Sequence, residues 1–302
     1  MTVSIQPEFS VVITCYNKSS TVAGAIKSVQ AQNSNCEIIV VDDCSTDTSR
    51  EVLAQFSDIN VILHDVNKGA LQAYLTGMRV AQGRFIVMLD GDDALADGIL
   101  EELSNAEILD DTTSIRMGIA QRKDATNRTG APSGVRVNIT FRPGWLFAAT
   151  QSTGGAANIF PNTLFKEVDQ ALGQNWPDIV VQDHILPGML AFVSRRVLKL
   201  SNVGYLIPDV PLDRSLGQKR HRMDNDRLLS DQALAAATFN PAFSQGWISR
   251  VLLQLALVIR IRRLGRKYGV ATRNAFGLLL SSRQRNDAVD RISSVIRSSP
   301  SF

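Results

Sequence analysis

Short apolar runs recur along the first third of the chain, each one cut off by polar turn residues. Phe9 to Cys15 (FSVVITC), Glu37 to Val41 (EIIVV), Asn60 to His64 (NVILH) and Phe85 to Leu89 (FIVML) have no clean period-2 alternation. Such runs predict strands covered on both faces, as in a parallel sheet. Between them the apolar spacing changes to that of helices. Ser19 or Ser20 can cap a helix whose inner face is Val22, Ala25, Ile26 and Val29. Val52, Leu53 and Phe56 mark a second helix. A third is predicted from Ala70 to Ala81, between the turn Asn67-Lys68-Gly69 and the stop Gln82-Gly83. This alternation predicts an α/β fold: a Rossmann-like, mostly parallel sheet with right-handed crossovers and helices on both faces.

The chemistry sits where the strands stop. The second run ends in Asp42-Asp43-Cys44-Ser45-Thr46-Asp47, the fourth in Asp90-Gly91-Asp92-Asp93. Open α/β sheets bind ligands beyond the carboxyl ends of their strands. Three carboxylates in four residues repel, and a hard divalent cation with oxygen ligands neutralises them. A solvated acidic turn is the other reading, since Asp and Gly are ordinary turn residues. After the first run stands Thr14-Cys15-Tyr16-Asn17, with neither a dinucleotide glycine fingerprint nor a Walker A loop. A dehydrogenase or a P-loop ATPase is therefore disfavoured.

FSVVITCYN, EIIVVDDCSTDTS, NKGA and AQGRFIVMLDGDDAL, in this order between Phe9 and Leu95, resemble the donor-binding half of family 2 glycosyltransferases of the GT-A fold. The resemblance implies a nucleotide-sugar donor, most simply UDP-linked, and inverting transfer to a hydroxyl. Tyr16 resembles the residue that packs on the base, and Thr14 occupies a base-contacting position. Asp43 matches the aspartate that accepts a hydrogen bond from the uracil imide, a role suited to an acceptor-only carboxylate. Asp42 is expected to hold the loop, and Asp47 and Ser45 fit a helix cap. In the DxD element, Asp90 is expected on the ribose and Asp92 on the metal, Mn²⁺ or Mg²⁺, with Asp93 as a supporting ligand. Gly91 suits either a close backbone approach or a turn with positive φ. One departure is Tyr74-Leu75, which stand where many members carry Arg-Asn.

The second half of the chain resembles the acceptor side of the same family. Ser114 to Gly144 reads as a hairpin or an acceptor loop, and Gly154 to Phe160 as the strand flooring the acceptor cleft. Val180 to Leu186 (VVQDHIL) is similar to the motif whose aspartate is the general base, which assigns that role to Asp183. Gln182 replaces the usual Glu, and His184 is read as structural or acceptor-lining. Tyr205 to Pro208 predicts a last strand. Beyond it, Arg214 and Lys219 to Arg222 form a basic loop suited to a diphosphate, and His221 is a candidate metal ligand. A solvated basic loop and a helix cap at Asp183 are the plainer alternatives.

Length and composition change this picture little. The 302 residues, 44% hydrophobic and 20% charged, describe an ordinary globular chain. A net charge of +3 gives no reason to expect nucleic acid as a partner. The charge is uneven, however: from Gly246 onward, eleven Lys and Arg face only Asp287 and Asp290. Residues 247–267 combine a tryptophan, an apolar core and a basic end. They suit an interfacial helix beside a lipid-linked acceptor, or equally a helix packed on the catalytic domain or on a second subunit in a homodimer. Cys15, Cys36 and Cys44 lack zinc-ligand spacing and read as reduced thiols. Met1 to Glu8 has no secretory pattern, and no apolar run reaches about 18 residues. A cytoplasmic location, peripheral on the membrane face, is expected. The expected organisation is a GT-A domain over 1–225, with a donor half (1–95) and an acceptor half (96–225), followed by a helical basic C-terminal extension (226–302). The rival readings are a sugar nucleotidyltransferase and a non-catalytic module for binding or membrane docking.

Overall fold

The computed structural model describes residues 6–121, 134–141, 156–173, 176 and 185–208. Asp183, His184, Arg214, His221 and the 226–302 extension with its 247–267 helix lie outside the described residues.

Strands β1 (Phe9–Cys15), β2 (Cys36–Asp42), β3 (Asn60–Leu63) and β4 (Phe85–Asp90) alternate with helices α1 (Val22–Gln30), α2 (Ser49–Leu53) and α3 (Ala70–Val80). The order is the one the apolar runs predict, with ends moved by a residue or two. Every residue of β1 is buried, as a central strand requires. It pairs in parallel with β2 on one side and β4 on the other, and β2 pairs in parallel with β3. The Phe9 and Phe85 rings face each other across β1 and β4 at 6.0 Å between centroids. Burying each large apolar side chain here contributes about 1.5–3 kcal/mol. Helix α3 packs Leu71, Ala73, Tyr74, Leu75 and Met78 inward, and Gly77 lies directly over Val12, Val41 and Ile39.

After β4 come β5 (Ala94–Leu95), α4 (Ile99–Asn105), β6 (Thr113–Gln121), β7 (Val137–Phe141), β8 (Asn158–Pro161), α5 (Asn162–Leu172), α6 (Ile185–Val193) and β9 (Arg196–Ile207). Among the described residues all nine strands form one sheet, ordered β3-β2-β1-β4-β8-β6-β9-β5, with β7 on β9. The described strands before and after residue 95 therefore share one sheet. The direction changes at β8, which runs antiparallel to both β4 and β6.

Three expectations need correction. Helix α1 begins at Val22 with Thr21 at its N-cap position, not with Ser19 or Ser20. The Ser19 amide instead donates to Asp47 Oδ2 at 3.1 Å. The stretch from Ser114 is no simple loop. It is strand β6, with Ile115 and Met117 in the core. The last strand begins at Arg196, well before Tyr205, and its burial alternates through Val197, Leu198, Leu200, Asn202 and Gly204.

Candidate active site

The ends of β1, β2 and β4 bring the acidic segments together at the carboxyl edge of the sheet. Thr14 lies in register with Asp90, and Cys15 with Asp42. Gly91 donates its amide to the Thr14 carbonyl at 3.0 Å, and a Cβ at position 91 would stand 2.6 Å from that oxygen. Gly91 is not among the positive-φ residues. The glycine thus serves the close approach of the carboxylate turn to β1, and turn conformation is not its reason.

The β1–α1 and β2–α2 loops are tied to each other. Asn17, at φ 53°, accepts from the Thr46 amide at 2.8 Å and donates its own amide to Ser45 Oγ at 2.9 Å. The Lys18 amide donates to Ser49 Oγ at 2.8 Å. Asn tolerates this left-handed conformation better than most residues. Asp47 bridges the two loops, with Ser49 on one oxygen and Ser19 on the other. Desolvation works against its ionisation, but hydrogen bonds from Ser49 and Ser19 prevail and bring its carboxyl down to about 2. Tyr16 leaves this junction 45% exposed, a large ring open to a ligand.

Asp42 and Asp43 are both buried but serve different partners. Asp42 Oδ2 accepts from Arg50 Nε at 2.7 Å and from the Ser45 amide at 3.2 Å. Asp43, 3% exposed, takes the Lys68 amide on Oδ1 and the Gly69 amide on Oδ2, each at 2.8 Å. His64, also buried, places Nδ1 2.8 Å from Asp43 Oδ1 and Nε2 3.0 Å from Thr76 Oγ1. A carboxylate only accepts, so Nδ1 carries a proton toward Asp43, and Nε2 shares a hydrogen bond with the Thr76 hydroxyl. Counting lone pairs among the described residues, Oδ1 is filled and Oδ2 keeps one acceptor position. Gly69, at φ 83°, makes the turn that delivers both amides.

The carboxylate turn is divided among three partners. Tyr74, wholly buried in α3, donates its hydroxyl to Asp90 Oδ1 at 2.9 Å. Tyr205 in β9 donates to Asp93 Oδ2 at 2.6 Å and accepts the Asp90 amide at 3.1 Å. Burial, reinforced by the charge of Asp90, pushes both phenols well above their ordinary range, so they remain donors. Asp92, half-buried, forms an ion pair with Lys18. Among the described residues no group of three or more His, Cys, Asp and Glu converges as a metal site. The reason is geometric: Asp90 and Asp93 are engaged with buried phenols. Asp92 nonetheless holds a cation, the Lys18 ammonium. That fits a Mg²⁺-type ion, which is held by one or two carboxylates with substrate phosphates and water completing its shell.

Sequence reasoning named Thr14, Tyr16, Asp43, Asp90, Asp92 and Asp93, and these lie on three adjacent strand ends. It did not single out Lys18, His64 or Tyr205. Lys18 had a local signal, a cation two residues after Tyr16. Tyr205 had none, because its partner is remote in sequence. Helix α6 opens at Ile185, two residues beyond Asp183.

A parallel sheet with acidic loops at its carboxyl edge, continued by antiparallel strands, is an α/β architecture of the kind that binds ligands beyond its strand ends. Residues 10–169, more than half of the chain, match the model of Glycosyl transferase family 2, and the chain belongs to that family. It is 29% identical over 153 residues to the succinoglycan biosynthesis protein ExoO of Rhizobium meliloti, covering 45% of this chain and 44% of that protein. It is 31% identical over 135 residues to the Escherichia coli UDP-Glc:alpha-D-GlcNAc-diphosphoundecaprenol beta-1,3-glucosyltransferase WfgD, covering 39% and 53%. The matches span about half the length of these relatives. The crystal structure of S. aureus TarS 1–349 in complex with UDP-GlcNAc superposes with a TM-score of 0.59 at 18% identity, covering 97% of this chain and 82% of that one. The fold is GT-A. Among the described residues no helix is long and apolar enough to cross a membrane.

Proposed function

We propose that the chain transfers a sugar, with inversion, from a UDP-linked donor to a hydroxyl of a glycan or lipid-linked glycan. The observation that carries the donor assignment is the grouping of Tyr16, Asp43, Asp90 and Asp92 on three neighbouring strand ends, in a member of a glycosyltransferase family. Relatives named for a UDP-glucose donor with a diphosphoundecaprenol-linked acceptor, and a fold relative crystallised with UDP-GlcNAc, support the same donor and acceptor classes.

In this reading the base stacks on the exposed Tyr16 ring, and its imide N–H donates to the remaining acceptor position of Asp43 Oδ2. Asp90 takes a ribose hydroxyl. Asp92 would hold Mn²⁺ or Mg²⁺ together with the donor phosphates, and Lys18 is then released from its carboxylate partner. The bound ion would stabilise negative charge on the departing diphosphate. Asp93 and, outside the described residues, His221 complete the proposed ligand set, and Arg214 supplies a cation to the phosphates. Asp183 takes the proton of the acceptor hydroxyl as its oxygen attacks the anomeric carbon and the nucleoside diphosphate leaves from the opposite face. The cytoplasmic face of a membrane is the proposed place of action, with the 247–267 segment as a contact to lipid or to a second subunit.

Release of UDP from UDP-glucose and UDP-GlcNAc, with and without a polyprenyl-diphosphate-linked sugar and Mn²⁺, tests this reading. Acceptor-stimulated release is expected in wild type. In Asp183→Asn it is expected to vanish while UDP binding persists. Equal turnover in wild type and Asp183→Asn removes the base assignment. UDP binding without any turnover moves the non-catalytic module to the front.

A further inference from the structure

Asp90, Asp92 and Asp93 crowd three negative charges onto one turn, and the fold must settle which of them faces a cation. It does so from two directions. From α3, the wholly buried Tyr74 reaches Asp90 Oδ1 at 2.9 Å. From β9, more than a hundred residues along the chain, Tyr205 donates to Asp93 Oδ2 at 2.6 Å. The same Tyr205 oxygen accepts the Asp90 amide at 3.1 Å, so one hydroxyl holds both a side chain and the backbone of the turn. Asp92 pairs with the Lys18 ammonium.

We propose that Tyr205 and Tyr74 are positioning residues that fix the carboxylate turn so that Asp92 presents its oxygens to the metal–diphosphate unit of the donor. The inference rests on the donor-site reading above. A phenol suits the task because its oxygen donates and accepts at once, and because its ring fills core volume while its hydroxyl reaches a polar turn. Phenylalanine would keep the packing and lose both hydrogen bonds. Packing alone therefore predicts that Phe is tolerated at these positions, whereas positioning predicts that it is not. Groups that orient a metal-binding carboxylate from behind change metal affinity or activity by about 10- to 100-fold when removed.

The test is Mn²⁺ binding followed by electron paramagnetic resonance in the presence of UDP, with transfer rates measured against Mn²⁺ concentration. Tyr205→Phe is expected to weaken Mn²⁺ binding about 10-fold or more. Its kcat at saturating Mn²⁺ should stay near wild type, because a loosened turn lowers affinity and leaves the occupied site competent. A merely structural role would instead reduce the active fraction, and so kcat, at unchanged affinity. Because Tyr205 acts partly through Asp93 and partly through the Asp90 amide, the loss in the double variant Tyr205→Phe/Asp93→Asn should be smaller than the product of the two single losses. Unchanged Mn²⁺ affinity in Tyr205→Phe, or independent multiplication of the two effects, overturns the inference. If Tyr205→Phe does not fold, Tyr74→Phe carries the test through Asp90, and wild-type Mn²⁺ and UDP affinity there overturns it equally. Absence of Mn²⁺-dependent UDP binding in wild type is a separate outcome: it removes the donor-site reading itself and the inference with it.

Discussion

Replacing Gly91 by alanine adds one methyl group to the carboxylate turn, and the fold leaves no room for it. The new Cβ would lie 2.6 Å from the Thr14 carbonyl oxygen, and the Gly91 amide already donates to that oxygen at 3.0 Å. The obstructing atom is backbone in a fully buried strand, so it cannot swing aside as the end of a long side chain would. Relief requires the turn to lift off β1, which stretches its hydrogen bond and tilts Asp90 and Asp92. Overpacking of this kind costs about 1–3 kcal/mol. Gly24→Ala is the matched control. It lies in α1, is exposed, and has no atom within 4 Å of its added Cβ. A glycine-to-alanine change there is expected to stabilise by about 0.5–1 kcal/mol, since the helix loses a flexible residue. Urea unfolding of both variants gives the two stability changes, and titration with UDP and Mn²⁺ gives donor-site integrity. The account requires opposite signs in urea and a binding loss only for Gly91→Ala. Equal stability and wild-type UDP affinity in Gly91→Ala would refute the close-approach argument.

Other perturbations reach different parts of the structure. Arg50→Leu takes the guanidinium from the buried Asp42 carboxylate and is expected to lower stability in urea unfolding. His64→Leu removes one of the two donors on Asp43 Oδ1 and the ring partner of Thr76; a stability loss of about 1–3 kcal/mol and a weaker UDP interaction are expected by calorimetry. The Asp47 and Asp110 carboxyls are held down at about 2, below the ordinary aspartate range. For both groups desolvation is opposed by hydrogen bonds, from Ser49 and Ser19 at Asp47 and from Thr112, Thr113 and Arg196 at Asp110. A depressed carboxyl pKa stabilises the fold fully above the unfolded value, and that contribution is lost as pH falls through the folded one. Stability should therefore drop between about pH 4 and pH 2, with a shallower drop in Asp47→Asn and Asp110→Asn, as thermal unfolding across that range will read.

The donor half was legible because its signals are local. Runs such as Phe9 to Cys15 and Phe85 to Leu89 are apolar but for Ser10 and Thr14, and each ends in residues whose chemistry is visible from the sequence. The acceptor half was harder, because polar residues there are paid for by distant partners. Asn202 interrupts β9 and reads as a turn residue, yet its side chain accepts the Arg136 amide at 2.6 Å and donates to Glu102 at 3.3 Å. Arg116 likewise breaks the apolar pattern of β6 while reaching the Ala156 carbonyl. The cap at α1 was misplaced because Ser19 is claimed by Asp47 from a neighbouring loop. Within the site, the resemblance set Asp43 apart from Asp42, and the fold adds their partners, Arg50 for Asp42 and His64 for Asp43. Tyr74 drew notice as a departure from a family pattern, but its role beneath Asp90 needed the packing of α3 on β1.

The central claim is a donor site in which Asp92 holds a metal against a uridine diphosphate. Thermal unfolding of wild type and Asp92→Ala with UDP, GDP, TDP and CDP, each with and without Mn²⁺, tests it most directly, because a ligand that binds only the folded state raises the Tm. The account predicts a Tm increase with UDP that requires Mn²⁺ and disappears in Asp92→Ala. A UDP shift independent of Mn²⁺ and retained in Asp92→Ala, or no nucleotide shift in wild type, would contradict it.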